Sequence, residues 1–207
     1  MIRVHHLNDS RSQRILWLLE ELGLPYEIVH HQRDPQTRLS PPSLQAVHPL
    51  GKSPVVEMDG EMLIESGAII ETIIRRWGGG RLQPDPASAD FDRYLMWLHY
   101  AEGSAMLPVM LRLYVSRLGE AGAPLAPRIA GETANHFGFI EQALGDRDWL
   151  VGETLTGADI QMSFLGEIAR AQGMGADYPA IAAWVARFQA RPAYQRALAR
   201  GGPYSFA

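Results

Sequence analysis

The 207-residue chain contains no cysteine. That absence excludes disulfides, thiolate metal ligation and a protein thiol nucleophile. Lysine is almost missing as well: of 19 basic residues, Lys52 alone is lysine. No stretch reaches the roughly 18 uninterrupted apolar residues of a membrane span. The start, MIRVHHLNDS, lacks the apolar core of a secretory signal. A cytoplasmic protein is expected. Excess charge of either sign is also lacking, and a net charge of −4 leaves no basic footprint for nucleic acid. There is no internal repeat and no low-complexity segment. What remains is ordinary globular composition, 46% hydrophobic and 20% charged, in a length that holds one large domain or two small ones.

The most informative stretch runs from His48 to Trp77, HPLGKSPVVEMDGEMLIESGAIIETIIRRW. Two short apolar runs, Pro54-Val55-Val56 and Met62-Leu63-Ile64, flank Asp59-Gly60, which is a hairpin signal. Ile69, Ile70, Ile73 and Ile74 then recur at helical spacing behind Glu65-Ser66. A polar pair at a helix start reads as an ordinary N-terminus, and also as a spot whose free N–H groups can bind an anion. Pro54 stands where a strand begins, since proline cannot donate to a sheet ladder. A cis Ser53-Pro54 bond would turn the preceding backbone outward, able to pair with an extended peptide.

Upstream, Ile2–Leu7 reads as a strand. Ile15, Leu16, Leu18, Leu19 and Leu22 mark an amphipathic helix that Gly23 caps, and Tyr26–Val29 is a second strand, parallel to the first. Ser10-x-x-Gln13 fits a capping box. A hydroxyl at that point is equally placed to donate to an anion. Ser12 is nearby and chemically its equal. His30–Leu44 is a polar, proline-rich loop. His30-His31 has no further ligand-type residue at suitable spacing, so no metal site is read.

Gly78-Gly79-Gly80 followed by Pro84-x-Pro86 is the clearest break in composition. It divides the chain into residues 1–78, a linker over 79–86, and a helical part over 87–207. A long helix is expected from Phe91 to Leu118, kinked at Pro108, and another from Pro124 to Leu144. Thr156-x-x-Asp159 is a capping box with a Leu155–Ile160 staple, opening a helix that runs to about Gly173. Two shorter helices follow, separated at Arg191-Pro192.

The HPLGKSP and ESGAI segments resemble the glutathione-binding segment of the cytosolic glutathione transferases, usually worded NPxGKVP and ESxAI. His48 replaces the usual Asn, and Ser53 the usual Val. TGAD at 156–159 resembles the family's helical-domain cap, and SRSQRILWLLEEL resembles its bacterial and fungal Ser-type branch. The resemblance covers the whole chain. It implies an α/β thioredoxin-like domain followed by an all-helical bundle, a homodimer, and glutathione as co-substrate in detoxification chemistry. It assigns the thiol-stabilising hydroxyl to Ser10, four residues ahead of Arg14, with Ser12 as the alternative. It places glutathione against Lys52, Ser53, Pro54, Glu65 and Ser66, with Glu102 reaching the ligand of the partner subunit. A small hydrophobic electrophile would lie between the domains near Tyr100, Met106, Met110 and Tyr114, residues that serve equally as helix–helix core. Two other readings stay open: a disulfide reductase or peroxidase using two glutathiones, and a non-catalytic interaction protein of this fold.

Overall fold

The computed structural model describes residues 1–207. Its first part is a four-stranded sheet in the order β2-β1-β3-β4, built from β1 (Ile2–Leu7), β2 (Tyr26–His31), β3 (Val55–Met58) and β4 (Glu61–Leu63). β1 and β2 are parallel, with Ile2 opposite Tyr26, and α1 (Ser12–Leu22) crosses between them. Its apolar side is wholly buried, and Gly23 ends it at φ 66°. β3 pairs antiparallel with both β1 and β4. The hairpin turn places Asp59 at φ 53° and Gly60 at φ 84°. Two successive positive φ values match the right-handed twist of the strands, which is why Asp-Gly serves there. The polar loop after β2 contains α2 (Pro42–Val47), and α3 (Ser66–Trp77) follows the hairpin.

The second part is helical: α4 (Ala89–Tyr100), α5 (Met106–Val115), α6 (Ala126–Leu144), α7 (Gly157–Ala171), α8 (Pro179–Gln189) and α9 (Pro192–Gly201). The expected single helix from Phe91 to Leu118 is interrupted. Residues Ala101–Ala105 form a π-helical turn between α4 and α5, and a 3₁₀ stretch, Ser116–Leu125, replaces the end. Pro108 has no N–H for the Ser104 carbonyl and its ring crowds that carbonyl, so a wider turn just before it relieves the clash. Pro124 belongs to the 3₁₀ stretch, and α6 starts at Ala126.

One apolar core of 42 residues runs through both parts. A close contact within it lies at the start of α7. A Cβ on Gly157 would lie 2.6 Å from Ile74 and 2.9 Å from Ile70, so the helix tip can sit against α3 only with glycine there. Beneath this lies Glu167, fully buried on α7, whose carboxylate accepts hydrogen bonds of 2.5 Å from both Tyr194 and Tyr204. Burial pushes its pKa up to about 7, against the pull of the two phenols and Arg14. The folded protein therefore holds a proton that the unfolded chain, at 4.5, has released. Stability from this group falls as pH rises from about 4.5 to 7. In Glu167→Gln the slope of urea midpoints across the window should flatten to the share that buried Asp159, raised to about 6, contributes; an unchanged slope would contradict it.

Candidate functional site

Arg11, His48, Leu50, Lys52, Ser53, Pro54, Ile64, Glu65, Ser66 and Glu102 line an open cleft of about 190 Å³ beside the sheet. The residues of the His48–Ser66 stretch come together because a loop, a hairpin and a helix start all end there. The Ser53-Pro54 bond is cis. Ser53 turns its side chain onto β1, donating to the His5 carbonyl at 2.9 Å and accepting the Leu7 N–H at 3.3 Å. The hydroxyl thereby serves β1 groups at the point where Pro54 cannot donate to the ladder. What residue 53 can offer the cleft is its main chain, which accounts for a serine at this position.

Glu65 precedes α3 at φ 68°, ψ 111°, a conformation that costs a non-glycine residue on the order of 1–3 kcal/mol. The first intrahelical bond of α3 runs from Ile69 N–H to the Glu65 carbonyl. The N–H groups of Ser66, Gly67 and Ala68 are thus the unsatisfied donors of the helix start. Ser66 is buried and its hydroxyl accepts from Arg14 Nη1 at 3.2 Å.

Glu102 lies close to α1. The sequence reading sends it toward the ligand of a partner subunit; within one chain it lines the cleft. Both its oxygens lie 2.8 Å from Arg11 Nε, and Oε1 lies 2.6 Å from Arg14 Nη1. The π-helical turn that carries it swings the side chain toward α1. Burial alone would raise its pKa; Arg14 and Arg11 overcome this and hold it below the usual value. Both guanidiniums also lie over Phe164, 5.4 Å from the ring centre.

Ser10 and Ser12 lie behind Arg11, and neither lines the cleft. Ser12 is fully buried and has four partners: Ser10 Oγ at 2.8 Å, His6 Nδ1 at 2.8 Å, and the Leu7 N–H and carbonyl at 3.3 Å each. Ser10 retains 4% exposure and is the hydroxyl with capacity left. The capping box expected at Ser10-x-x-Gln13 does not form. Helix α1 begins at Ser12, Ser10 Oγ accepts the Ser12 N–H at 3.2 Å, and the buried Gln13 amide has no partner.

The residues expected around an electrophile take several places. Tyr100 donates to or accepts from His136 Nδ1 at 2.6 Å and packs edge-on against Trp97 and Phe139, so it serves helix packing. Met106 is buried in the core and Tyr114 is exposed. Arg33 clips its own loop through the carbonyls of Asn8, Asp9 and Arg38. The reading missed Arg11 as a cleft residue. A cation at a helix N-terminus opposes the helix dipole, and that was the available signal.

Together these features define a class: a small mixed sheet that presents a polar, peptide-sized cleft at a cis-proline loop and a helix start, backed by a helical bundle. Residues 4–80 match the family model described as glutathione S-transferase, N-terminal domain, and residues 103–192 match glutathione S-transferase, C-terminal domain. The chain is 34% identical to glutathione S-transferase 1 of Saccharomyces cerevisiae, covering 94% of this chain and 92% of the yeast protein. It is 35% identical to glutathione S-transferase 3 of Schizosaccharomyces pombe, over 79% of this chain and 72% of that one. A solved glutathione S-transferase from Actinobacillus pleuropneumoniae superposes with a TM-score of 0.90 at 32% identity, covering 99% of this chain and 94% of that one. The chain belongs to the glutathione S-transferase family, enzymes with glutathione as co-substrate.

Proposed function

We propose that the cleft binds glutathione extended along the Ser53-Pro54 loop, and that Ser10 donates a hydrogen bond to its sulfur. Lys52 and His48 meet the glycyl carboxylate. The main chain of Ser53 pairs with the cysteinyl residue. The free N–H groups at the start of α3 take the γ-glutamyl carboxylate, and Glu65 with Glu102 takes its ammonium. The observation that carries this reading is the convergence of Lys52, Ser53, Glu65, Ser66 and Glu102 on one cleft. Three cations or potential cations and two carboxylates there complement a ligand with two carboxylates and one ammonium.

A thiol near pKa 8.5–9 is only a few per cent ionised at neutral pH. Lowering that value by about two units requires about 2.7 kcal/mol in favour of the thiolate. One hydroxyl to a charged sulfur supplies roughly 1.5–3 kcal/mol, so Ser10 with nearby helix amides suffices. The thiolate then attacks a small apolar electrophile, and no protein nucleophile takes part. The enzyme is a homodimer in this reading, with the acid of each cleft supplied by Glu102 of the same chain.

The test is the ultraviolet thiolate band of bound glutathione, followed against pH. The wild-type midpoint should lie well below that of free glutathione. Ser10→Ala should move it up by one to two units with binding nearly intact, whereas Glu65→Ala should weaken binding itself by tenfold or more. Binding without any thiolate band would favour the disulfide form as ligand, and hence redox use. No binding would favour an interaction protein.

A further inference from the structure

The cleft contains a cation whose charge is only partly answered. Arg11 spans both oxygens of Glu102 with its Nε at 2.8 Å, while its Nη1 and Nη2 make no hydrogen bond with the protein. Neither Nη is sealed from solvent, and the side chain lines the cleft at 28% exposure. Glu102 already has a second cation, for Arg14 Nη1 lies 2.6 Å from its Oε1. Two guanidiniums thus share one carboxylate, and the trio carries one net positive charge. Arg14 is enclosed at 1% exposure, so the charge a ligand can approach is that of Arg11. Phe164 lies against both guanidiniums and offers a ring face but no anion. Arg11 also follows Ser10 in the chain and stands in front of it as seen from the cleft. A sulfur that reaches the Ser10 hydroxyl from the cleft comes past the Arg11 side chain. The other charged groups facing Arg11 are Arg33 on the loop after β2, and Lys52 and Glu65 across the cleft. In the binding reading Lys52 and Glu65 answer the glycyl carboxylate and the ammonium of glutathione. No charge of glutathione in its thiol form is left for Arg11.

We propose that Arg11 is a further catalytic residue, set against the sulfur, whose uncompensated charge favours the thiolate of bound glutathione over the thiol. The proposal rests on the reading that the cleft holds glutathione with its sulfur at the Ser10 end. The thiol proton leaves to solvent. Arg11 stays charged throughout and acts as neither acid nor base. Its effect is that of a charge, so it does not depend on which N–H points at the sulfur. A unit charge about 7 Å away, seen through a dielectric between those of a protein surface and bulk water, moves a thiol by about one pH unit.

The thiolate band, taken at saturating glutathione, tests this. Arg11→Met should raise the midpoint by about one pH unit. Arg11→Lys keeps the charge and should stay within about 0.3 unit of wild type. Glu102→Gln removes the compensating carboxylate and should lower the midpoint, although glutathione binds more weakly. These opposite signs separate charge from support. If Arg11 only held Glu102 in place, breaking the pair from either side would move the midpoint the same way, and that result overturns the proposal. Both Arg11 variants leave Glu102 paired with Arg14, so they decide the question even where Glu102→Gln fails to fold. An unchanged midpoint in Arg11→Met, while Ser10→Ala still raises it, also overturns the proposal and leaves the Ser10 reading intact. A raised midpoint in Arg11→Met with Ser10→Ala unchanged removes the Ser10 reading and leaves Arg11 as the partner of the thiolate. No glutathione binding by the wild type removes both.

Discussion

Replacing Asp159 with alanine should destabilise the protein by about 3–5 kcal/mol, several times the effect of losing a helix cap. Asp159 stands in the first turn of α7 and is fully buried. Its Oδ1 accepts the Leu150 N–H at 2.9 Å and Trp184 Nε1 at 3.2 Å. Its Oδ2 accepts the Thr156 N–H at 2.9 Å and the Thr156 hydroxyl at 3.0 Å. One carboxylate thus ties the 149–156 loop, the start of α7 and the middle of α8. Burial pushes its pKa up to about 6, against these four hydrogen bonds, so at pH 8 it is ionised. Alanine would strand two backbone N–H groups and an indole N–H, each costing roughly 1–3 kcal/mol when buried without a partner. Thr156→Ala removes only the cap hydroxyl and should cost about 1 kcal/mol. Urea unfolding at pH 8, followed by tryptophan fluorescence, measures both. Equal midpoints for the two variants would reduce Asp159 to an ordinary cap.

That residue also shows how far the sequence can be read. TGAD announced a helix start, because capping is local chemistry between residues three apart. The bonds to Leu150 and Trp184 were invisible, since they join segments that only the tertiary fold brings together. The same division holds elsewhere. The Asp59-Gly60 hairpin, the parallel pairing of β1 with β2 and the Gly23 cap follow from short-range rules, and the structure has them. The Ser10-x-x-Gln13 box obeys the same rules on paper. It fails because Ser10 Oγ goes to the Ser12 N–H and Ser12 to His6, a residue on the neighbouring strand. Cleft residues drawn from the His48–Ser66 stretch were legible through motif order. Arg11 was not, for its relevance depends on Glu102, 91 positions away. The π-helical turn that aims Glu102 arises from Pro108 acting six residues downstream, and helical periodicity reads straight through it.

Glu102→Ala should have an effect of similar size, for a different reason. Its partner Arg14 has a side chain only 1% exposed, with Nε and Nη2 already lacking hydrogen-bond partners. Without the carboxylate, the groups left around this buried cation are Ser66 Oγ, the face of Phe164 and the Glu167–Tyr204 pair, with Arg11 opposing it. Breaking a buried pair on one side typically costs about 3–5 kcal/mol, mostly as the penalty of the stranded charge. Arg14→Met in the same chain removes that charge and should recover most of the loss. The pH dependence has a definite sign. Glu102 is held below its unfolded value of 4.5, so its contribution is present above that pH and is lost as pH falls through the folded value. The deficit of Glu102→Ala should therefore shrink in acid. Glutathione affinity then separates two roles in the double variant. If Glu102 meets the ligand ammonium, Glu102→Ala/Arg14→Met regains stability but still binds glutathione tenfold or more weakly. Recovery of both would make Glu102 only the counter-ion of Arg14, leaving Glu65 as the carboxylate that reads the ligand.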